Sequence, residues 1–271
     1  MDYQILVLDL DGTLTNSEKE VSSATLEALL DIQKNGKTIV LASGRPTQGV
    51  SPLAKKLHLD QYGGYILSYN GGHIIDCRSG KVVYNKPLPK DVYHKIYDLC
   101  AKYKEHGIDL ITYQGDSIIS AFGPNEYTKL ESRINQLPIE QPDPYFDAVT
   151  APINKFLGTG DSAIIEKIRK EALSMFHSYL NIYCSEPFFL EFMPQNIDKA
   201  QSLQRLLSSI GLTAEEMICC GDGYNDISMI EYAGLGVAMA NAQSVVLEKA
   251  DFITKSNDDD GIVHVIDTFL R

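Results

Sequence analysis

Two aspartates near the start of the chain follow an apolar run, and their spacing could support nucleophilic chemistry. The run ILVL at 5–8 predicts a buried parallel strand, and Asp9 and Asp11 come directly after it. Open α/β sheets bind their ligands at the carboxyl ends of such strands. Asp9 could therefore attack while Asp11 handles a proton, and either could bind a metal ion. The alternative is an ordinary strand that ends in an Asp-Gly turn.

The residues after these aspartates favour an anion. Gly12 allows a sharp turn of the chain, and Thr13 adds a hydroxyl beside the backbone N–H groups. A second apolar run, IVLA at 39–42, ends in Ser43, Gly44 and Arg45. These three residues predict a phosphate-holding site at the N-terminus of a helix, where Arg45 would add positive charge. The alternative for Ser43 is an ordinary helix N-cap.

A third apolar run, MICC at 217–220, leads into another pair of acids. Asp222 could share a Mg²⁺ ion with Asp9, since oxygen ligands suit this cation. Asp226 could hold a metal-bound water or orient the other acids, and Asn225 could contact either the phosphate or its own loop. The alternative for this segment is a loop rich in Asp and Asn.

Lys199 begins a helix predicted over 198–210, which ends at Gly211. A cation directed into a cluster of acids would steady both a carboxylate nucleophile and an incoming phosphate. A lysine in the first turn of a helix is more often solvated, and it opposes the helix dipole. Its position relative to the other three segments therefore decides between the two interpretations.

These four segments, in this order, resemble the haloacid dehalogenase-like phosphatases, and more narrowly the Cof-type sugar-phosphatase branch. The resemblance covers essentially the whole chain. It is most specific at 9–13 and 221–226, and Asn70 with Gly71 also matches a pattern common in this branch.

The resemblance implies a role for each site residue. Asp9 would attack phosphorus and form an aspartyl-phosphate, and Asp11 would protonate the leaving alcohol and then deprotonate water. Mg²⁺ would be bound by Asp9, Asp222 and the backbone carbonyl of Asp11. The residues expected to hold the phosphoryl group are Ser43, Gly44, Lys199 and Asn225. Supporting roles are expected for Asp226, Thr13 and Arg45.

The composition is that of a soluble globular chain. Of its 271 residues, 44% are hydrophobic and 22% are charged, and the net charge of −12 argues against nucleic acid as a partner. No apolar stretch approaches the length of a membrane span, and the first strand leaves no room for a signal peptide. We therefore expect a cytoplasmic enzyme with reduced cysteines and no membrane partner. The sequence does not define an oligomeric state.

Alternating strand and helix patterns at both ends predict an α/β core with a Rossmann-like, doubly wound parallel sheet. Between them, hairpins and helices predict an inserted α+β cap over 84–190, so the core would comprise 1–83 and 191–271. By the resemblance, this cap would select the substrate.

The expected function is Mg²⁺-dependent hydrolysis of a small phosphorylated metabolite, with sugar phosphates as the implied class. Two alternatives stay open. A sugar phosphomutase would use the same aspartyl-phosphate but return the phosphate to a sugar. A phospho-acceptor module would keep the phosphate on Asp9 as a signal, although Asp11 argues against it, since a long-lived aspartyl-phosphate needs no proton shuttle.

Overall fold

The chain alternates strands and helices at both ends and contains a strand-rich middle segment. The structure, a computed structural model, describes residues 2–271. In chain order, the strands are β1 (Ile5–Leu8), β2 (Thr38–Ala42), β3 (Tyr65–Ser68), β4 (His73–Asp76), β5 (Val82–Asn85), β6 (Asp109–Gln114), β7 (Ser117–Ser120), β8 (Ile139–Glu140), β9 (Phe156–Thr159), β10 (Leu180–Glu186), β11 (Phe189–Pro194), β12 (Met217–Gly221), β13 (Leu235–Ala238) and β14 (Phe252–Ile253). The α-helices are α1 (Ser23–Lys34), α2 (Thr47–Lys56), α3 (Leu59–Tyr62), α4 (Tyr93–Ala101), α5 (Glu126–Asn135), α6 (Ser162–Phe176), α7 (Lys199–Ile210), α8 (Ile227–Tyr232), α9 (Ser244–Leu247) and α10 (Gly261–Phe269).

The first unit contains the residues up to Tyr84 together with Asp198–Arg271. Its sheet has the order β14-β13-β12-β1-β2-β3-β4-β5, with β1 parallel to both β2 and β12. This confirms the predicted α/β core with its largely parallel sheet. Strand β4 runs antiparallel to β3, so the sheet is not parallel throughout.

Helices cover both faces of this sheet, which explains why its strands are continuously apolar. Leu6 and Leu8 of β1 pack in the hydrophobic cluster that includes residues of α1, α2 and α10. Ile5 and Val7 point to the opposite face and pack with residues of α7 and α8. Successive side chains of a strand alternate between the two faces, and helices cover each face, so both sets of side chains are fully buried. The sheet is therefore doubly wound.

No strand is predicted from the sequence at the positions of β4 and β5. Val82 and Val83 of β5 are exposed, so this edge strand lacks the buried apolar pattern by which the other strands are recognised. His73 of β4 is half-buried, and its Nδ1 lies 3.0 Å from the hydroxyl of Thr47 at the start of α2.

The second unit, Asn85–Ile197, is an α+β layer. Its sheet has the order β10-β11-β9-β6-β7-β8 and is antiparallel except where β8 joins β7. The side chains of Phe156, Phe176 and Phe192 are fully buried in its core. Residues 191–197, which the sequence interpretation assigns to the core, lie in this unit, because β11 continues to Pro194 and pairs there with Leu180 of β10.

A buried carboxylate ties the elements of the second unit together. Asp109 has no exposed surface and accepts hydrogen bonds from the hydroxyls of Ser120 and Thr128, at 2.7 and 2.9 Å. It also accepts from the backbone N–H groups of Leu110, Ala121 and Phe122. One side chain thereby connects β6, β7 and α5.

Candidate active site

The segments predicted to carry chemistry all lie in the first unit, near the carboxyl ends of its central parallel strands. Leu8 of β1 is in register with Leu41 of β2 and with Cys220 of β12, so these three strands end side by side. The loops that follow them therefore begin next to one another. The backbone N–H of Asp9 also donates to the carbonyl of Cys220 at 3.0 Å, which extends the pairing to the first residue of the candidate site.

Near these strand ends, the side chain of Lys199 lies between two aspartates and donates hydrogen bonds to both. Its Nζ donates to Oδ1 of Asp9 at 2.5 Å, to Oδ1 of Asp226 at 2.6 Å and to the carbonyl of Ala42 at 2.8 Å. Lys199 and Asp226 have no exposed surface, and Asp9 is 6% exposed. Of the two interpretations of Lys199, the structure supports the cation directed into the acids and excludes the solvated lysine.

The burial of Lys199 is made possible by the carboxylates around it. Asp198 caps α7 by accepting from the backbone N–H of Gln201, and Lys199 is the first helical residue. Burial lowers the pKa of the Lys199 ammonium, but the charges of Asp226 and Asp9 outweigh this and raise it. Burial and the charge of Asp226 raise the pKa of Asp9, and Lys199 opposes both effects. Lys199 is therefore the group that favours the ionised form of Asp9.

Asp222 completes an acidic cluster beside Asp9. One oxygen from each of Asp9, Asp222 and Asp226 can be chosen so that all three lie within 4.8 Å of one another, a grouping that could hold a metal ion. Asp226 uses both of its oxygens, because Oδ1 accepts from Lys199 and Oδ2 accepts from the backbone N–H groups of Asp222 and Gly223. Asp9 and Asp222 are therefore the better candidate ligands, and Asp226 holds Lys199 and the loop after β12 in place.

The turn after β1 supports Asp222. Thr13 donates its hydroxyl to Oδ1 of Asp222 at 2.8 Å. Gly12 has a φ of +81°, and a Cβ at this position would overlap the Asp222 carboxylate, so only glycine fits there. Burial raises the pKa of Asp222 to about 6, with the charge of Asp226 adding to the effect and Thr13 opposing it. A divalent cation would favour the ionised form.

Asp11 is held by two cations. The guanidinium of Arg45 donates through Nε and Nη2 to the two carboxylate oxygens at 2.8 and 2.7 Å, and Lys19 donates at 3.0 Å. Partial burial raises the pKa of Asp11, but the hydrogen bonds and charges of Arg45 and Lys19 outweigh it and lower the pKa. Arg45 therefore contacts Asp11 in this structure, where the sequence suggests only a positive charge near the phosphate.

The other residues expected to hold phosphate lie on the loops that follow β2 and β12. Ser43 is buried, and its hydroxyl accepts from the backbone N–H of Arg45 at 3.1 Å, which shapes the loop after β2. Gly44 follows it. Asn225 is exposed on the loop after β12, and its Nδ2 donates to Oδ1 of Asn70 at 3.2 Å. Asn70 lies in the turn just after β3, so a fourth strand brings a residue to the same end of the sheet.

The structure thus brings together the site residues that the sequence predicts and adds three contacts that the sequence does not. Lys19 lies in a polar loop with no distinguishing pattern, and the carbonyl of Ala42 carries no sequence signal at all. Asn70 was recognisable from its Asn-Gly motif, but nothing in the sequence indicates that it contacts Asn225.

A doubly wound sheet whose strand ends carry Asp9, Ser43 and Asp222, with Lys199 at the start of α7 in contact with Asp9, defines a class of hydrolase. The model of the haloacid dehalogenase-like hydrolase family matches residues 6–266. The chain belongs to this family.

Known relatives match nearly the whole chain. A haloacid dehalogenase-like hydrolase from Bacteroides thetaiotaomicron has a solved structure that is 45% identical, with a TM-score of 0.95, and the match covers 98% of this chain and 99% of that one. The sugar phosphatase BT4131 of subclass IIB is 26% identical with a TM-score of 0.77, covering 98% of both chains. YxeH, a candidate phosphatase of Bacillus subtilis (strain 168), is 33% identical over 97% of both chains. Among the residues that the structure describes, no helix is long and apolar enough to span a membrane.

Proposed function

We propose that this hydrolase is a Mg²⁺-dependent phosphatase that hydrolyses small phosphate esters, with sugar phosphates as the substrate class. The observation that carries the proposal is the buried carboxylate of Asp9, held through Oδ1 by Lys199 and placed beside Asp222. Among the described residues, the side-chain hydrogen bond to Asp9 engages Oδ1, which leaves Oδ2 to attack. The sugar phosphatase BT4131, similar over the whole chain, supports the substrate class.

In the first half of the reaction, Oδ2 of Asp9 attacks phosphorus while the ester P–O bond breaks. Asp11 gives its proton to the departing alkoxide, so the products are an aspartyl-phosphate and a neutral alcohol. In the second half, water attacks the same phosphorus and its proton passes to Asp11. The bond between phosphorus and Asp9 then breaks, which releases inorganic phosphate and the carboxylate of Asp9 and leaves Asp11 protonated, as it began.

The donor set fits Mg²⁺, because it consists of oxygen atoms and includes the carboxylates of Asp9 and Asp222. Asp9, Asp222 and the backbone carbonyl of Asp11 would hold the ion. It would supply positive charge to the phosphoryl oxygens during transfer. Lys199, Ser43, Gly44 and Asn225 would orient those oxygens, and the protein would thereby contribute positioning and charge neutralisation.

Asp11 cannot remain as the structure holds it throughout this cycle. A protonated carboxyl group cannot accept from Arg45 through both oxygens as a carboxylate does. Arg45 must therefore shift when Asp11 carries a proton, and an anionic phosphoryl group offers its guanidinium a new partner.

The first test is phosphate release from a panel of sugar phosphates, nucleotides and flavin mononucleotide, with Mg²⁺ and again with EDTA. The wild type and Asp98→Asn, an exposed aspartate on α4, should both release phosphate. Asp9→Asn should not, because an amide is a poor nucleophile. EDTA should stop release, and added Mg²⁺ should restore it.

The same panel separates the alternatives. Conservation of total ester with a change of isomer would identify a phosphomutase. Stable phosphorylation of Asp9 without release would identify a phospho-acceptor module. Near-normal activity of Asp9→Asn, or activity that survives chelation, would refute the nucleophile or the metal assignment respectively.

A further inference from the structure

The turn Tyr69–Gly71, between β3 and β4, contacts three separate segments of the candidate site. The backbone N–H of Asn70 donates to the carbonyl of Ser43 at 2.9 Å, and that of Tyr69 donates to the carbonyl of Arg45 at 3.0 Å. The hydroxyl of Ser202, on the helix that begins at Lys199, donates to the carbonyl of Gly71 at 2.8 Å. The turn is therefore fixed to the loop after β2 and to α7.

The side chain of Asn70 reaches the third segment. Its Oδ1 accepts from Nδ2 of Asn225 at 3.2 Å, and Asn225 lies on an exposed loop. The Asn70 amide also lies over Gly44, since a Cβ at Gly44 would be 3.2 Å from Oδ1 and 3.3 Å from Nδ2. Asn70 has a φ of +53°, a left-handed conformation that asparagine tolerates better than most residues.

We infer that Asn70 is a positioning residue of the phosphate site: it orients the amide of Asn225 and closes the side of the site at Gly44. This inference rests on the proposed function, and its ligand is a phosphate dianion. An exposed asparagine loses rotamer freedom when it binds a ligand. A hydrogen bond that fixes Asn225 beforehand removes part of that cost, so phosphate binds more tightly.

A merely structural role predicts something different. If only the left-handed turn matters, glycine at position 70 should serve as well as asparagine, because glycine adopts this conformation freely. Asn70→Gly therefore keeps the backbone and removes only the amide. Gln136→Gly is the matched control, since Gln136 is an exposed residue of the second unit with a φ of +56°.

The experiment is calorimetric titration of inorganic phosphate, with Mg²⁺ present, into the wild type, Asn70→Gly, Asn225→Ala and the double variant. We expect Asn70→Gly to weaken phosphate binding by up to about tenfold, the size typical of the cost of fixing one flexible side chain. The double variant should bind no more than about twofold more weakly than Asn225→Ala, because Asn70 acts through Asn225. In turnover, Asn70→Gly should raise KM by about tenfold and change kcat by less than about twofold. Gln136→Gly should match the wild type.

The outcomes separate the inference from the proposed function. A wild type that binds and releases phosphate, with Asn70→Gly unchanged, overturns the inference alone. Fully additive losses in the double variant also overturn it, because Asn70 would then act independently of Asn225. A wild type that neither binds nor releases phosphate overturns the proposed function, and this inference with it.

Discussion

Replacement of Lys199 by methionine tests the electrostatic argument for the site. Lys199→Met keeps a long side chain but removes the charge that lies 2.5 Å from Asp9 and 2.6 Å from Asp226. Both carboxylates are buried, so neither can recover its lost partner from water. We therefore expect a large loss of stability as well as a loss of activity.

The magnitude follows from the burial of the cluster. Removing one partner of a buried ion pair typically costs about 3–5 kcal/mol, because the remaining charge is buried without compensation. Domains commonly have unfolding free energies of about 5–15 kcal/mol, so the variant should fold but lose a large part of its stability. Adding Asp226→Asn to Lys199→Met should recover part of the loss, since one of the two uncompensated charges is removed.

Hydrogen exchange in EDTA, followed by mass spectrometry of peptides from β1 and β12, measures this loss in the first unit. Lys249→Met is the control, because Lys249 also pairs with a carboxylate at 2.7 Å but is 49% exposed. An exposed pair is worth less than about 1 kcal/mol. If Lys199→Met costs no more than Lys249→Met, the reasoning about buried charge is wrong.

Three other changes should have distinct effects. Burial lowers the pKa of His73 below its ordinary 6.5, so protonation favours unfolding, and stability should fall as the pH drops below about 6.5. Thermal melting between pH 8 and 5 should show this fall in the wild type and a smaller one in His73→Gln. Asp109→Ala should destabilise the second unit by about 2–3 kcal/mol, because five donors lose their acceptor; urea unfolding checks this, and a loss below about 0.5 kcal/mol contradicts it. Gly12→Ala should displace Asp222 and raise the Mg²⁺ concentration needed for activity; an unchanged Mg²⁺ dependence argues against Asp222 as a ligand.

The sequence predicts the core of the fold well because its signals there are local and strong. The apolar runs at 5–8, 39–42 and 217–220 are continuous since their strands are buried on both faces, and a polar residue of the site follows each run within two positions. β5 carries no such signal, because two of its apolar side chains face solvent.

The arrangement within the site is less predictable, because it depends on side-chain directions and on loops that return from elsewhere. Arg45 follows Ser43 and Gly44 in the sequence, which suggests a contact with phosphate, yet its guanidinium turns to Asp11. Lys19 itself has a left-handed backbone conformation, and its side chain donates to Asp11. Neither the backbone conformation nor the contact can be derived from residue types alone.

The position of the second unit within the chain has a consequence for synthesis. β1 carries the candidate nucleophile at its end, and its partner β12 follows about 200 residues later, after the whole second unit. At roughly 5–20 residues per second, translation takes about 10–40 s to cover this interval. During that time β1 lacks its partner β12, so the backbone groups on that side of β1 are unpaired. An apolar strand with unpaired backbone groups is a site for aggregation. A ribosome stalled after Ile197 should therefore hold a nascent chain that binds chaperones more strongly than one released after Arg271.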